Sequence, residues 1–533
     1  MGIKVIDLFA GCGGLGEGFA SVRRGPNAAF EPVLSVEKEV PACDSLILRT
    51  FFRQFVEVPE DYYLYLKGEI SKDDLFGRYQ YEYISDTKAV LKLELNDDPE
   101  DARSLNNQIK NQIGKQKAWV LVGGPPCQAY SSSGRSRNKG SKTYIPENDH
   151  RHFLYRHFLD VVAKNAPPVF LMENVTGLLT AKVGGEPMFM RICNDLENPG
   201  KAVGSNSSDS NFNLGYRLFP LTQEASFDLF HKFEEKPSSY VVDASQYGVA
   251  QARNRVFLLG VRTDLKQGPK LLRKHDKKYS VYDFIGDLPK LRSGLSKQRD
   301  SKEGWLNAVG DILTATWFTD LGRLEREETR TYIKNIISGI RCPKADRGGR
   351  FVKNRSKPKA LREWFYDPKL VGACNHDARS HMASDLHRYM FMAAETMRRE
   401  DLHLKMGVQF SNVTLADFPE KLLPDHDNVT KNPDKAKIAF PDRFKVQRRF
   451  SPSSTVVSHL RSDGHYFIHY DPEQCRSLTV REAARLQSFP DNFFFEGSRS
   501  DAYQQIGNAV PPYLAQQIAV VIQDLLFRNN LIN

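Results

Sequence analysis

The chain has 533 residues, of which 40% are hydrophobic and 26% charged, the proportions of an ordinary globular protein long enough for two or more domains. Lys and Arg number 75 against 65 Asp and Glu, a net charge of +10, which permits a polyanionic partner without requiring one. No apolar run reaches membrane-spanning length, no signal peptide heads the chain, and the seven cysteines lie far apart with no CxxC; a membrane protein, a disulfide scaffold and a metal site are thereby excluded, and a cytoplasmic protein is expected.

Ile3 to Phe9 reads as a buried strand, followed at once by the glycine-rich turn Gly11-Cys-Gly-Gly-Leu-Gly16 and a helix from about Leu15 to Val22. Gly11, Gly13 and Gly16 fit the dinucleotide pattern G-x-G-x-x-G, and Glu37, ending a strand over Pro32 to Val36, stands about 20 residues further on. Glycines let the backbone approach a nucleoside, and a carboxylate after the second strand accepts hydrogen bonds from ribose hydroxyls. On the turn alone, an NAD-dependent oxidoreductase remains open. Residues 43 to 117 are aromatic-rich and charged, longer than a plain crossover needs, and read as an inserted helical excursion.

Ala118 to Val122 is a short apolar strand ended by Gly123-Gly124, so Pro125-Pro126-Cys127-Gln128 is presented on a loop at a strand's carboxyl end, the edge where ligands sit in open α/β sheets. Two prolines stiffen the approach to one thiol, which suits nucleophilic attack; a buried structural cysteine is the bland alternative. Gly134-Arg-Ser-Arg137 and Asp149 to Arg151 are polar and basic and could close on phosphates or form a surface loop. A helix is predicted over His152 to Lys164 and a strand over Val169 to Met172, with Glu173-Asn-Val175 at its carboxyl end. Strands at Tyr240 to Asp243 and Arg255 to Val261 follow. Strands alternating with helices indicate a doubly wound, Rossmann-like α/β sheet.

From about residue 290 the alternation fades and basic runs appear, at Lys344 to Arg350 and Lys353 to Lys359. The expected organisation is a catalytic domain over 1–289, a smaller inserted domain over 290–446, and a return to the first domain over 447–533 ending in a helix from Tyr513 to Phe527.

Taken together, Asp7-Leu-Phe-Ala-Gly-Cys-Gly-Gly14, Gly123-Gly-Pro-Pro-Cys-Gln128, Glu173-Asn-Val175, Gln251-Ala-Arg-Asn-Arg255, Arg476-Ser-Leu-Thr-Val-Arg-Glu482 and Gln505-Ile-Gly-Asn-Ala-Val-Pro-Pro512 resemble, block by block and in order, the DNA (cytosine-5)-methyltransferases of the restriction-modification type. The resemblance implies the S-adenosylmethionine-dependent methyltransferase fold, S-adenosylmethionine as cofactor and double-stranded DNA as partner, with a target-recognition domain in the inserted segment. It also implies a monomer, associated with a restriction or defence system.

By the same resemblance Cys127 is the nucleophile that adds to cytosine C6. Glu173 protonates or hydrogen-bonds N3, and Arg253 and Arg255 offer charged donors to the base, to Glu173 or to a phosphate. The base would be flipped out of the duplex to reach them. The cofactor site would comprise Phe9 stacked on adenine, the turn Ala10, Gly11, Cys12, Gly13 and Gly14, Glu37 on the ribose, Glu94 as candidate partner of the adenine amino group, Gly124, Pro126 and Leu154, closed by Asn508 and Val510. No metal is implied. Two alternatives accompany this reading: a tRNA cytosine methylase, against which the long inserted segment argues, and a catalytically dead DNA binder, against which intact Cys127 and Glu173 argue.

Overall fold

The computed structural model describes residues 2–25, 27–126, 154–204, 211, 214–224, 236–323, 326–425 and 441–532. The chain forms two compact units, Met1–Val58 with Phe76–Lys278 and Asn508–Asn533, and Pro59–Leu75 with Tyr279–Gly507.

The first unit is built on an eight-stranded sheet. Its elements begin with β1 (Ile3–Leu8), α1 (Gly14–Ala20), β2 (Phe30–Glu37), α2 (Val40–Gln54), β3 (Val90–Lys92), α3 (Pro99–Ile113) and β4 (Trp119–Gly123). They continue with α4 (Tyr155–Asn165), β5 (Val169–Val175), β6 (Tyr216–Phe219), β7 (Val241–Asp243) and β8 (Asn254–Arg262). The strand order is β6-β8-β5-β4-β1-β2-β3, with β7 pairing β8 outside that path. From β5 to β3 the neighbours are parallel; β8 runs antiparallel to β5, β6 and β7, so the sheet is mixed.

Both faces are covered, which is why the strands read as near-continuous apolar runs. Successive side chains of a strand point to opposite faces: Val5, Val120, Val122 and Leu171 join one core cluster with Leu15 and Phe19 of α1. Ile6, Leu8, Leu121 and Met172 join the other, with Ile109 of α3 and Phe158 of α4. β2 and β4 flank β1 on opposite sides, so the strand order reverses at β1 and opens a crevice at its carboxyl end.

Residues 43–117 are not a mere excursion. They complete α2, supply the sheet strand β3 and carry the crossover α3, and only 59–75 belongs with the other unit. A three-residue strand is too short to announce itself by alternation.

The second unit is mainly helical around one core that includes Trp305, Phe318 and Tyr389. It contains the antiparallel pair β9 (Gly348–Lys353) and β10 (Gly372–Asp377), the long helix α5 (Ala383–Met406) and α6 (Val480–Leu486). Where the sequence suggested a return to the first domain at 447, residues 447–507 pack within this unit and only 508–533 rejoin the first. The reason lies in the Arg476–Glu482 block. Thr479 caps α6 with Glu482 reciprocating, and Arg476 clamps Glu482 at 2.6 and 2.7 Å. Arg481, fully buried, donates to the carbonyls of Cys374, Pro490 and Phe493. β10 ties in here: the ring of its His376 meets Thr479 Oγ1 and the Pro289 carbonyl, each at 2.9 Å. That block frames this unit.

The chain closes with α7 (Pro512–Arg528), which packs along α1 in the first unit. Gly18 permits the approach: a Cβ there would lie 2.4 Å from the Ala515 Cβ and 2.5 Å from the Pro512 carbonyl.

Candidate active site

At the end of β1 the backbone turns sharply. Phe9 takes a left-handed conformation with φ 57°, a strained one for an aromatic residue. Gly11 (φ +57°) and Gly13 (φ +86°) follow in the same region, where glycine carries no penalty. The Ala10 amide donates to the Val36 carbonyl at 3.0 Å, and the Gly11 amide donates to Glu37 Oε2 at 2.8 Å. Glu37 Oε1 accepts from the amides of Lys38 and Glu39 at 2.8 and 2.9 Å. The carboxylate is thereby fixed beside the turn, at the end of β2. Gly14 is glycine for a different reason, since a Cβ there would stand 2.3 Å from the carbonyl of Val510.

Beneath the turn lies a charge cluster. Glu17 of α1 is buried and accepts from Arg49 Nε (2.8 Å) and Arg53 Nη2 (2.5 Å) of α2. Burial alone would raise its carboxyl, but Arg49 and Arg53 overrule it and hold it near 2. Asp7, on β1, has no such cations in contact; burial pushes its carboxyl up to about 8, and the charge of Glu37 adds to the effect. Cys12 is buried, and burial drives its thiol far above the ordinary range, which leaves it without nucleophilic character. Phe9 and Ala10 are half-buried against the core.

Next to β1 in the sheet, β4 ends at Gly123 and continues into Gly124, Pro125 and Pro126. Cys127 lies outside the described residues, as do Arg135, Arg137 and Arg151. Glu173 stands one strand further, near the carboxyl end of β5. Its buried carboxyl pairs with Arg255 Nε at 2.9 Å. The two sit diagonally across the β5–β8 pairing, in which Glu173 faces Phe257 and Val175 faces Arg255, so both side chains project from one face. Burial raises the Glu173 carboxyl, and the charges of Arg255 and Arg253 oppose it without cancelling it. A Cβ on Gly124 would lie 3.0 Å from Glu173 Oε2, so the glycine lets the loop pass close to the acid. Asn174 secures the same loop, donating from Nδ2 to the Pro125 carbonyl at 3.5 Å, while its Oδ1 accepts from the Val175 amide at 2.9 Å.

The first unit thus gathers Phe9 to Gly14, Glu37, Gly124 to Pro126, Glu173 and Arg255 on the carboxyl edge of β1, β2, β4 and β5, with Val510 against the turn. Two further candidates are held by partners of their own. Arg253 is buried and donates to the Ala509 carbonyl at 2.9 Å, a brace between β8 and the C-terminal segment. Glu94, just past β3, is 68% exposed and paired with Lys38 at 3.0 Å. Leu154 is half-buried at the start of α4, and Asn508 is exposed. Sequence reasoning missed the Glu17–Arg49–Arg53 cluster, although two arginines at i, i+4 on a helix beside the turn were a visible signal. It also missed the loop-holding part of Asn174.

The sequence profile of C-5 cytosine-specific DNA methylases matches residues 79–205 and 226–524. The type II methyltransferase M.Bpa9945I of Bacillus paralicheniformis is 30% identical over 544 residues, spanning 98% of this chain and 99% of its own. M.DdeI of Desulfomicrobium norvegicum, also a type II methyltransferase, is 24% identical over 545 residues, 100% of this chain and 91% of its own. A prophage-encoded E. coli protein solved as a candidate DNA modification methyltransferase shares the fold, with TM-score 0.50, 19% identity and coverage of 98% and 99%. The profile spans well over half of the chain, β4 and β5 with Glu173 included, and the chain therefore belongs to the C-5 cytosine-specific DNA methylase family, as a DNA (cytosine-5-)-methyltransferase.

Proposed function

We propose that the enzyme methylates C5 of a cytosine flipped out of a specific double-stranded DNA sequence, through a covalent bond between Cys127 and C6, with S-adenosylmethionine as donor. The observation that carries this reading is Glu173: a buried carboxyl, raised by burial, held by Arg255 and set against the loop that leads into Cys127.

The residues at the β1 edge fit the cofactor. The left-handed Gly11 and Gly13 present bare backbone at the turn, and the Glu37 carboxylate is fixed by three amides while keeping lone pairs for ribose hydroxyls. Phe9 offers an aromatic face at the strand end. When bound, S-adenosylmethionine supplies an electrophilic methyl group on a sulfonium centre. Cytosine C5 is too weak a nucleophile to take it unaided. The Cys127 thiolate adds to C6 and forms the S–C bond, while Glu173 delivers its proton to N3; C5 becomes enamine-like and nucleophilic. Arg255 keeps Glu173 in position and stabilises its carboxylate once the proton has left. After methylation the C5 proton departs to a base, N3 returns its proton to Glu173, the S–C bond breaks, and the thiolate is released. Sequence choice would reside in the second unit, and a cognate restriction or defence nuclease is the context that the names of the type II relatives support.

DNA carrying 5-fluorocytosine at the target tests the covalent step, because fluorine blocks the elimination. The wild type should give an SDS-stable complex and Cys127→Ala none; an adduct that survives the substitution would refute the assignment. Glu173→Gln should still bind DNA but slow single-turnover methylation by ~10²–10⁴-fold, the range for a positioned acid. A rate within a few-fold of wild type would remove Glu173 from the chemistry.

A further inference from the structure

The basic residues of the second unit divide into those the fold uses and those it leaves free. Arg347 pairs with Asp300 at 3.2 Å, and Arg350 lies between the rings of Tyr65 and Phe494, at 4.6 and 4.3 Å. Lys290 is neutralised by Asp471 and Glu473 at 2.9 and 2.8 Å. A second set has no carboxylate partner among the described residues: Arg341, Lys344, Lys353 and Arg355, all on the wall of one cavity of about 1000 Å³. The acids at that cavity are spent, Glu473 on Lys290 and Asp287 on Arg485 at 2.9 Å. Its surplus charge is therefore positive.

The segment leaving β9 gives this surplus a direction. Asn354 carries the β9–β10 pairing one residue further, its amide donating to the Val371 carbonyl at 3.2 Å, and its side chain donates to the Asp287 carbonyl, also at 3.2 Å. Along this segment Lys353, Arg355, Ser356, Lys357 and Lys359 are exposed, while Asn354 is half-buried and Pro358 and Ala360 are buried. Two of these cations stand on aromatic rings, Lys357 on Tyr366 at 5.4 Å and Lys359 on Tyr282 at 4.7 Å. Such contacts hold a lysine without neutralising it.

We propose that this run of exposed cations, with Arg341 and Lys344 at the same cavity, is a docking track for the phosphodiester backbone of the DNA substrate, and that it contributes affinity but no sequence information. The inference rests on the DNA-methylation reading above. Lysines and arginines facing phosphate position a protein on the duplex, whereas base edges specify the sequence.

The test uses the full chain carrying Lys353→Ala with Arg355→Ala, and a labelled duplex containing the site mapped by bisulfite sequencing of DNA from cells expressing the wild type. The plot of log K against log salt should become shallower by about 1.8, two phosphates at about 0.9 each, while the methylated sequence stays the same. Both side chains are exposed, so the melting temperature should not move; if it falls, Lys353→Arg with Arg355→Lys should recover the slope. An unchanged slope in an active variant overturns the track and leaves the methylation reading intact. A changed target sequence overturns the backbone assignment in favour of base reading. Absence of 5-methylcytosine from the wild-type host would defeat both readings together.

Discussion

Glu173 is held between two opposing influences. Burial favours its protonated form and Arg255, 2.9 Å away, favours the carboxylate. Removing the cation with Arg255→Met leaves burial less opposed, so the carboxyl keeps its proton to higher pH. If a protonated Glu173 drives the reaction, the alkaline limb of the single-turnover pH profile should move upward, whatever happens to the maximal rate. A limb that stays in place would assign it to another group. Asp7 offers a parallel test on stability. Its carboxyl titrates near 8 in the folded chain against 3.8 for the free group, so between those values the folded state binds more protons than the unfolded one. Stability contributed by the protonated form is complete below about 3.8 and drains away as pH rises towards 8. Asp7→Asn cannot titrate, so its melting temperature should gain on the wild type between pH 5 and 8. A constant gap across that range would show Asp7 already ionised.

At the scale of elements, α1 and α7 pack closely. With Ala515 and the Pro512 carbonyl that near to Gly18, Gly18→Ala forces the helices apart and should cost about 1–3 kcal/mol in urea unfolding, the usual range for overpacking. A variant as stable as wild type would show that α7 is free to shift. The long strands were legible in the sequence because each is a run buried on both faces and punctuated by glycine or proline. Ile3–Leu8, Trp119–Gly123 and Val169–Val175 fall where the pattern set them. β3 and β6, at three and four residues, were not read from the sequence. The site was legible where chemistry dictates residue type, in the glycine turn, Glu37 and Glu173. It was illegible where long-range packing decides, as in the turning of Arg253 towards Ala509 and the joining of Glu17 to α2.

For the whole molecule, motif order and packing give different boundaries. The Arg476–Glu482 block follows the inserted segment in sequence, yet it clamps β10 and frames the second unit. A graft of 290–446 from a relative with another target would sever His376 from Thr479 and Arg481 from Cys374 by bringing in foreign partners. That chimera should be poorly soluble or inactive, whereas a graft of 279–507 together with 59–75 should fold and carry the donor's target with it. Genome-wide methylation mapping of both chimeras checks this; an active 290–446 chimera with the new target would show that the clamps are dispensable.

The packing of α7 on α1 also sets a schedule for biosynthesis. The helix α1 leaves the ribosome well before α7, which covers it. Roughly 500 residues separate them, which at about 5–20 residues per second amounts to roughly 25–100 s. Throughout that interval Leu15 and Phe19 lack the apolar surface of Leu514, Ala515 and Ile518 that completes their core, and the Val510 carbonyl is missing from above Gly14. A chain that stops short of α7 therefore has no finished glycine turn.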